Sequence, residues 1–428
     1  MVKKIGLFVC IVIGIAAIVF GVTRYKKWKD RNEVPYITIV GPIEMADGIG
    51  RQSAELAELF LKDFKTNIIA RHYNRSDVPV AVKTMMSKKN KQQGKILIFE
   101  ESLWAPGEDI ARVLGTVDSK NQIRIAYSML EYTRIPQEWV MQLNLYYDAV
   151  AVPDAFLIKV YKESGVKIPV FELPLGLDLS ANLKQPIKKT RNPIMVFGNL
   201  GSTLDRKNQI GLIRAFAKAL GNVEDAVLHI NTRGGDLPVR KAILDEIAMQ
   251  GCANIHYTEI KLRKDAYLKF FKTLDCYVSL AKGEGFSIQP REAMSLGIPV
   301  IATNNTGQET ICKSQLVRSV TSALLEPAKY SGARIPSGYQ FNCEVDEAAL
   351  AIKDIYDNYD KYLSQGEKAR EWASFYDYSN NDLKDLYRTL VNPKKIVLGD
   401  KDVLHKDYIE TSSKELYEKY LRIAIFRK

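Results

Sequence analysis

The sequence predicts an α/β protein of two doubly wound domains, joined by a polar linker and preceded by an apolar N-terminal segment. Three observations predict it. From Tyr36 onward, short β-rich runs alternate with stretches of helical periodicity, the pattern of parallel sheets with crossover helices. The alternation breaks over residues 178–193, a polar stretch carrying Pro186 and Pro193, and then restarts. Ahead of both, residues 5–22 form an 18-residue run without a charge. A chain of 428 residues has room for two or three units of about 100–200 residues each.

The N-terminal run falls just short of the roughly 20 residues that a spanning helix needs. The competing interpretation is a cleaved signal peptide, with an apolar core of about 7–15 residues and a small-x-small site. Val19, Phe20 and Gly21 form such a site poorly. Residues 1–31 are therefore expected to be an uncleaved transmembrane helix with a basic flank. Lys3 and Lys4 precede the run, whereas Arg24, Lys26, Lys27, Lys29 and Arg31 follow it, so the positive-inside rule puts the folded body in the cytoplasm. This flank also explains much of the formal charge of +11, because residues 1–31 alone carry a net +6. No basic stripe with interleaved aromatics dominates the rest, which argues against a nucleic-acid partner. Cys10, Cys252, Cys276, Cys312 and Cys343 have no CxxC spacing, so neither a zinc site nor a disulfide framework is expected. With 46% hydrophobic and 26% charged residues, the composition excludes a disordered chain and a multi-span membrane protein.

The first domain, residues 32–177, has candidate strands at 36–40, 96–99, 123–126, 149–152 and 170–173. Helices are expected at 52–61 and 155–164. The linker is 178–193. The second domain, residues 194–375, opens on a strand at 194–197 and an amphipathic helix through Leu212, Ala215, Phe216 and Leu220. Strands follow at 226–230, 255–257, 276–280 and 299–302. Residues 376–428 read as a helical extension, in which 413–426 put Tyr417, Tyr420, Leu421, Ala424 and Ile425 on one face. Mixed charge on the other faces favours packing on the protein over pressing onto a membrane. In doubly wound sheets ligands bind beyond the carboxyl ends of the strands, so the functional residues belong in strand-to-helix loops.

The loop with the strongest signal runs from Lys282 to Ala293, directly after a candidate strand. Gly283 and Gly285 permit close approach of backbone to a ligand, and Pro290 suits a first helical turn. Such a loop delivers backbone amides to a helix N-terminus, where unpaired N–H groups and the positive end of the dipole attract phosphate. Glu284 in the loop and Glu292 in the first turn stand eight positions apart and can face one cleft from different heights.

Here the chain resembles a known family. Glu-x7-Glu followed by Ala-Met-x-x-Gly-x-Pro-Val, present as EGFSIQPREAMSLGIPV, is the pattern of retaining GT-B glycosyltransferases of the glycosyltransferase-4 group. The resemblance implies two Rossmann-like domains facing a cleft, the first on the acceptor side and the second binding a nucleotide diphosphate sugar. It places Glu284 beside the donor sugar and Glu292 on the ribose hydroxyls. Arg206 and Lys207, ahead of the helix beginning at Gln209, look like the basic pair that stabilises the leaving diphosphate. The backbone of Gly283, Gly285, Phe286 and Ser287 would assist them. Gly48 and Gly50, after the first strand, are similar to the glycine-containing loop that approaches donor phosphate and acceptor. The segment from Tyr127 to Trp139 looks like that of a bacterial-type branch, in which many members carry a histidine contacting the donor sugar. None of His72, His229, His256 and His405 stands there, so that role would fall to Glu131 or be absent.

The implied activity is transfer of a sugar, with retention, to a hydroxyl of a glycan, a lipid-linked glycan or another acceptor. No cofactor or metal is expected, since fixed cations stand where a divalent ion would. Base contacts would come from residues 257–263. Two rivals use the same cleft: a GT-B-fold epimerase or phosphorylase, and a membrane-anchored scaffold that binds sugar nucleotides without turnover.

Overall fold

The computed structural model describes residues 18–26, 36–45, 48–87, 92–100, 122–328 and 338–390. The first sheet consists of β1 (Ile37–Ile43), β2 (Thr66–Tyr73), β3 (Ile96–Glu100), β4 (Ile123–Tyr127), β5 (Ala149–Val152) and β6 (Val170–Glu172). They lie in the order β2-β1-β3-β4-β5-β6, all parallel. The second comprises β7 (Met195–Thr203), β8 (Ala226–Gly235), β9 (Ile255–Glu259), β10 (Cys276–Ser279), β11 (Val300–Asn304) and β12 (Arg318–Thr321). Its order is β12-β11-β10-β7-β8-β9, again all parallel. A two-stranded antiparallel pair, β13 (Leu324–Pro327) with β14 (Tyr339–Asn342), joins neither sheet but bonds to the loop of Thr133 in the first unit and that of Lys282 in the second.

Helices cover both faces of each sheet, so the central strands read as continuous apolar runs. All seven residues of β1 are buried, as are all five of β3. One face of the first sheet packs on Leu56, Ala57 and Phe60 of the helix Gly48–Asp63, the other on Leu143, Leu157 and Tyr161. In the second unit the helix Gln209–Leu220 buries Leu212, Ile213, Ala215, Phe216 and Leu220 at helical spacing against β7, β8 and β10. The helix Leu237–Gln250 is bounded by recognisable caps. The Asp236 side chain accepts the Val239 amide at its start, and Gly251, at φ 62°, ends it in the left-handed conformation.

The expected strands are all present; several run past their expected ends, whereas β6 and β10 stop one residue short. β2 was not expected. It is the sheet's edge, with His72 exposed, so its apolar pattern is incomplete. β7 continues six residues beyond its predicted end at Phe197, pairing with β8 as far as Thr203 opposite Gly235. Gly198 sits inside the strand, where a Cβ would lie 2.3 Å from Leu274 Cδ2. The linker is docked on the second unit, with a short helix Ser180–Leu183, Asn182 donating to Ser295 Oγ at 2.9 Å and Lys188 paired with Asp275 at 3.1 Å.

After the helix Gly366–Ser374 the chain returns to the first unit. Leu177 and Asp377 form a bridge, and the helix Asn381–Leu390 adds Leu383 and Tyr387 to the first core. The Tyr387 hydroxyl donates to Pro174 O at 2.6 Å and accepts the Gly176 amide at 3.0 Å. Residues 1–17 and 27–31 of the expected anchor and its flank, and the amphipathic stretch 413–426, lie outside the described residues. Residues 18–26 are helical and exposed, and among the described residues no helix is long and apolar enough to cross a membrane.

Candidate active site

Four charged side chains meet at the carboxyl ends of both sheets. Arg206 and Lys207 form a single 3-10 turn between β7 and the helix Gln209–Leu220, closed by Asn208 at φ 53°. Glu284 lies in the loop after β10, and Glu131 in the loop after β4 of the first unit. Arg206 Nη2 reaches Glu131 Oε1 at 2.8 Å, and Nη1 reaches Glu284 Oε2 at 3.1 Å and donates to Gly283 O at 3.1 Å. Lys207 Nζ meets Glu284 Oε1 at 2.5 Å. The Arg206 carbonyl accepts the Lys282 amide at 2.7 Å, which ties the two loops of the second unit together.

Burial sets opposite demands on these groups. It pulls the Glu284 carboxyl upward, but the Lys207 ammonium and Arg206 guanidinium outweigh it and hold the group below the usual carboxylate range. Burial dominates at Glu131, whose carboxyl is raised despite Arg206, with Glu284 adding to the rise. Lys207 is lowered by burial, with Glu284 opposing. Two carboxyls whose environments push them apart, sharing one guanidinium, suit a site where charge develops during reaction.

The second glutamate of the spaced pair is engaged differently. Glu292 is buried in the helix Ile288–Ser295. Its Oε1 accepts Arg51 Nη2 at 2.8 Å, and its Oε2 accepts the Tyr267 hydroxyl at 2.5 Å. Arg51 comes from the first unit, where its Nε also donates to Glu55 Oε1 at 2.7 Å. Glu55 Oε2 is buried without a partner among the described residues, and burial lifts this carboxyl to about 7 against the pull of Arg51. Arg51 directly follows Gly50, but the sequence assigns it no role, and nothing in the sequence signals Tyr267.

The glycines act otherwise than expected. A Cβ on Gly283 would lie 2.0 Å from Glu131 O, and one on Gly285 would lie 2.0 Å from Met129 Cγ, so both admit the first unit rather than only a ligand. Gly48 and Gly50 lie in the first turn of the helix Gly48–Asp63, not in a loop. Gly50 is there because a Cβ would lie 2.7 Å from Glu44 O. Phe286 turns its ring into the core, edge-on to Tyr376, which leaves only its backbone for the cleft. The Glu284 amide donates to Thr306 Oγ1 at 2.9 Å, while the amides of Gly285, Phe286 and Ser287 have no acceptor among the described residues. Ser287 holds φ 63°, ψ 71° and caps the helix behind them. Among the described residues no cluster of His, Cys, Asp or Glu is arranged to hold a metal ion.

Comparison with known proteins bears on the family and the fold. Residues 181–372 match the family described as Glycosyl transferases group 1, a span that holds Arg206, Lys207, Glu284 and Glu292. Among solved structures the fold is similar to that of Anabaena HepE in complex with UDP and glucose, with a TM-score of 0.61 and 13% identity, over 84% of this chain and 99% of that one. Sucrose-phosphate synthase of Thermosynechococcus elongatus gives a TM-score of 0.59 and 14% identity, over 83% and 99%. S. aureus TarM, in complex with Fondaparinux, alpha-GlcNAc-glycerol and UDP, gives 0.52 and 15%, over 69% of this chain and 55% of that one. The chain thus spans about half the length of TarM. In sequence it is 20% identical to Uncharacterized protein 356 of Sulfolobus islandicus rod-shaped virus 1, over 65% of this chain and 79% of the other. Residues 181–372 thus match the glycosyl transferases group 1 family, in a chain whose fold is similar to that of GT-B proteins.

Proposed function

We propose that this protein is a retaining glycosyltransferase of the glycosyltransferase-4 group, taking a sugar from a nucleotide diphosphate donor to a hydroxyl of a glycan or lipid-linked glycan. The observation that carries the proposal is the meeting of Arg206 and Lys207 with Glu284 and Glu131 at the carboxyl ends of the two sheets, beside the amides of residues 285–287. A departing diphosphate gains negative charge as the glycosidic bond breaks, and fixed cations and amides aimed at it lower the barrier.

In this reaction the bond from the anomeric carbon to the donor phosphate oxygen breaks and the diphosphate leaves with the electron pair. The acceptor hydroxyl oxygen bonds to the anomeric carbon from the same face, and its proton passes to the leaving phosphate oxygen. Glu284, kept ionised by Lys207 and Arg206, faces the positive charge on the sugar. Glu292, oriented by Arg51 and Tyr267, has lone pairs for the ribose hydroxyls, since an ionised carboxylate accepts about four hydrogen bonds. A carboxyl-terminal approach of both sheets to one ligand is what the two-domain arrangement favours.

The donor class is tested by thermal shift. A ligand that binds only the folded state raises its stability by about 2.7 kcal/mol at a hundredfold excess over Kd. UDP-glucose heads the panel, because HepE has been solved with it. A stabilisation by nucleotide diphosphate sugars that is absent with the free sugars is the expected result. No shift with any of them would remove the donor assignment.

A further inference from the structure

Arg291 lies between the two glutamates of the motif and belongs to neither of the contacts described above. Its guanidinium is fully buried, at 0% exposure, although it lies in the first turn of the helix Ile288–Ser295 directly behind the donor loop. We propose that Arg291 and Asp154 are a positioning pair that couples closure of the two domains to the shape of the loop receiving the donor diphosphate. The proposal rests on the glycosyltransferase assignment.

Three parts of the molecule converge on this one group. Nη1 donates to the carbonyl of Ser287 at 3.2 Å, the residue whose left-handed backbone turns the loop into the helix. Nη2 reaches Asp154 Oδ2 at 3.4 Å, in the first unit just after β5. The guanidinium carbon lies over the ring of Phe286, 3.8 Å from its centroid, and over that of Tyr376, 4.7 Å from its centroid, on the segment that returns to the first unit. Asp154 is equally hidden at 2% exposure, and its Oδ1 accepts Thr310 Oγ1 at 3.0 Å from the second unit. One pair thus senses the donor loop, the first domain and the returning chain.

Stability alone does not explain the arrangement. Arg291 Nε has no partner among the described residues, and burial raises the Asp154 carboxyl even with Arg291 beside it. Replacing such a buried pair with apolar side chains is often neutral or stabilising, whereas breaking it by removing one partner is not. What the pair supplies is geometry. When the domains separate, Arg291 loses Asp154 and the Ser287 carbonyl loses a donor tethered to the first domain. The amides of 285–287 then lose their fixed orientation.

The test uses the full chain and the double variant Arg291→Met with Asp154→Leu, beside Asp154→Asn alone. Nucleoside diphosphate release from the donor and X-ray scattering of the ligand-free protein are measured for each. The expected result is a double variant that melts within a few degrees of the parent, has a larger radius of gyration and loses at least about tenfold in kcat with a smaller change in donor KM. A double variant whose radius of gyration or kcat matches the parent's would overturn the proposal. If the double variant does not fold, Asp154→Asn decides. It keeps the acceptor for Thr310 and removes the charge, so unchanged kcat and scattering would overturn the proposal as well. The scattering arm needs no turnover: an inactive parent would sink the transferase assignment, while an unchanged radius would sink the coupling.

Discussion

Glu284 and Glu292 differ in what surrounds them, and the difference makes them fail differently when altered. Glu284 faces two cations and is held low, as suits a group beside developing positive charge. Glu292 is fixed by Arg51 and Tyr267, and in the proposed reaction it binds ribose. Ribose is contacted alike in ground and transition states, so Glu292→Gln should mainly raise donor KM, whereas Glu284→Gln should mainly lower kcat. Steady-state kinetics of the two variants separates these outcomes, and normal turnover by Glu284→Gln would make it a structural loop residue. Glu55 offers a second test at this scale. Its carboxyl stands at about 7 in the folded protein against an ordinary 4.5, so the folded state keeps a proton that the unfolded chain releases in that window. The associated stability is full below about pH 4.5 and is lost as pH rises to about 7, up to about 3 kcal/mol in all. Glu55→Gln does not titrate and still accepts from Arg51. Its melting temperature relative to the parent should therefore rise between pH 5 and pH 8, and a difference that stays flat would contradict the environment described for Glu55.

At the scale of elements, strands and loops were legible to different degrees. The central strands, buried on both faces, announce themselves as apolar runs, whereas the edge strand β2 and the hairpin of β13 and β14 do not. The spaced glutamates and the Arg206–Lys207 pair stand out in the sequence through their resemblance to a known motif, and the structure brings Arg206 and Lys207 onto Glu284. Arg51, Tyr267, Asp154 and Thr310 were not, because each acts through a contact made only when distant segments meet. The glycines show the same limit: Gly283 signals close approach, but the sequence does not say that Glu131 is what approaches. Gly283→Ala should accordingly push the first unit off the donor loop. Since a misplacement of about 1 Å costs roughly 10²-fold in rate, activity should fall about that far while the variant stays folded. Near-parental turnover would show that the two loops do not need to touch.

For the whole molecule, the central feature is that the site exists only where both domains meet. Glu131 and Arg51 come from one unit, Arg206, Lys207, Glu284 and Glu292 from the other, and the chain crosses back through Leu177 and Asp377 to join them. We further propose that residues 5–22 anchor this body to a membrane on its cytoplasmic face, on the asymmetry of two basic residues before the run and five after it. Protease added to intact cells should leave the body intact, and its digestion would reverse the orientation. The central claim is that Arg206 and Lys207 receive a departing diphosphate. It is tested most directly by nucleoside diphosphate release from UDP-glucose and related donors, comparing the parent with Arg206→Ala, Lys207→Ala. Deleting one such donor costs on the order of 10²–10³ in rate, so the double variant should lose at least that much while melting with the normal cooperative transition. Release within a few-fold of the parent would contradict the account.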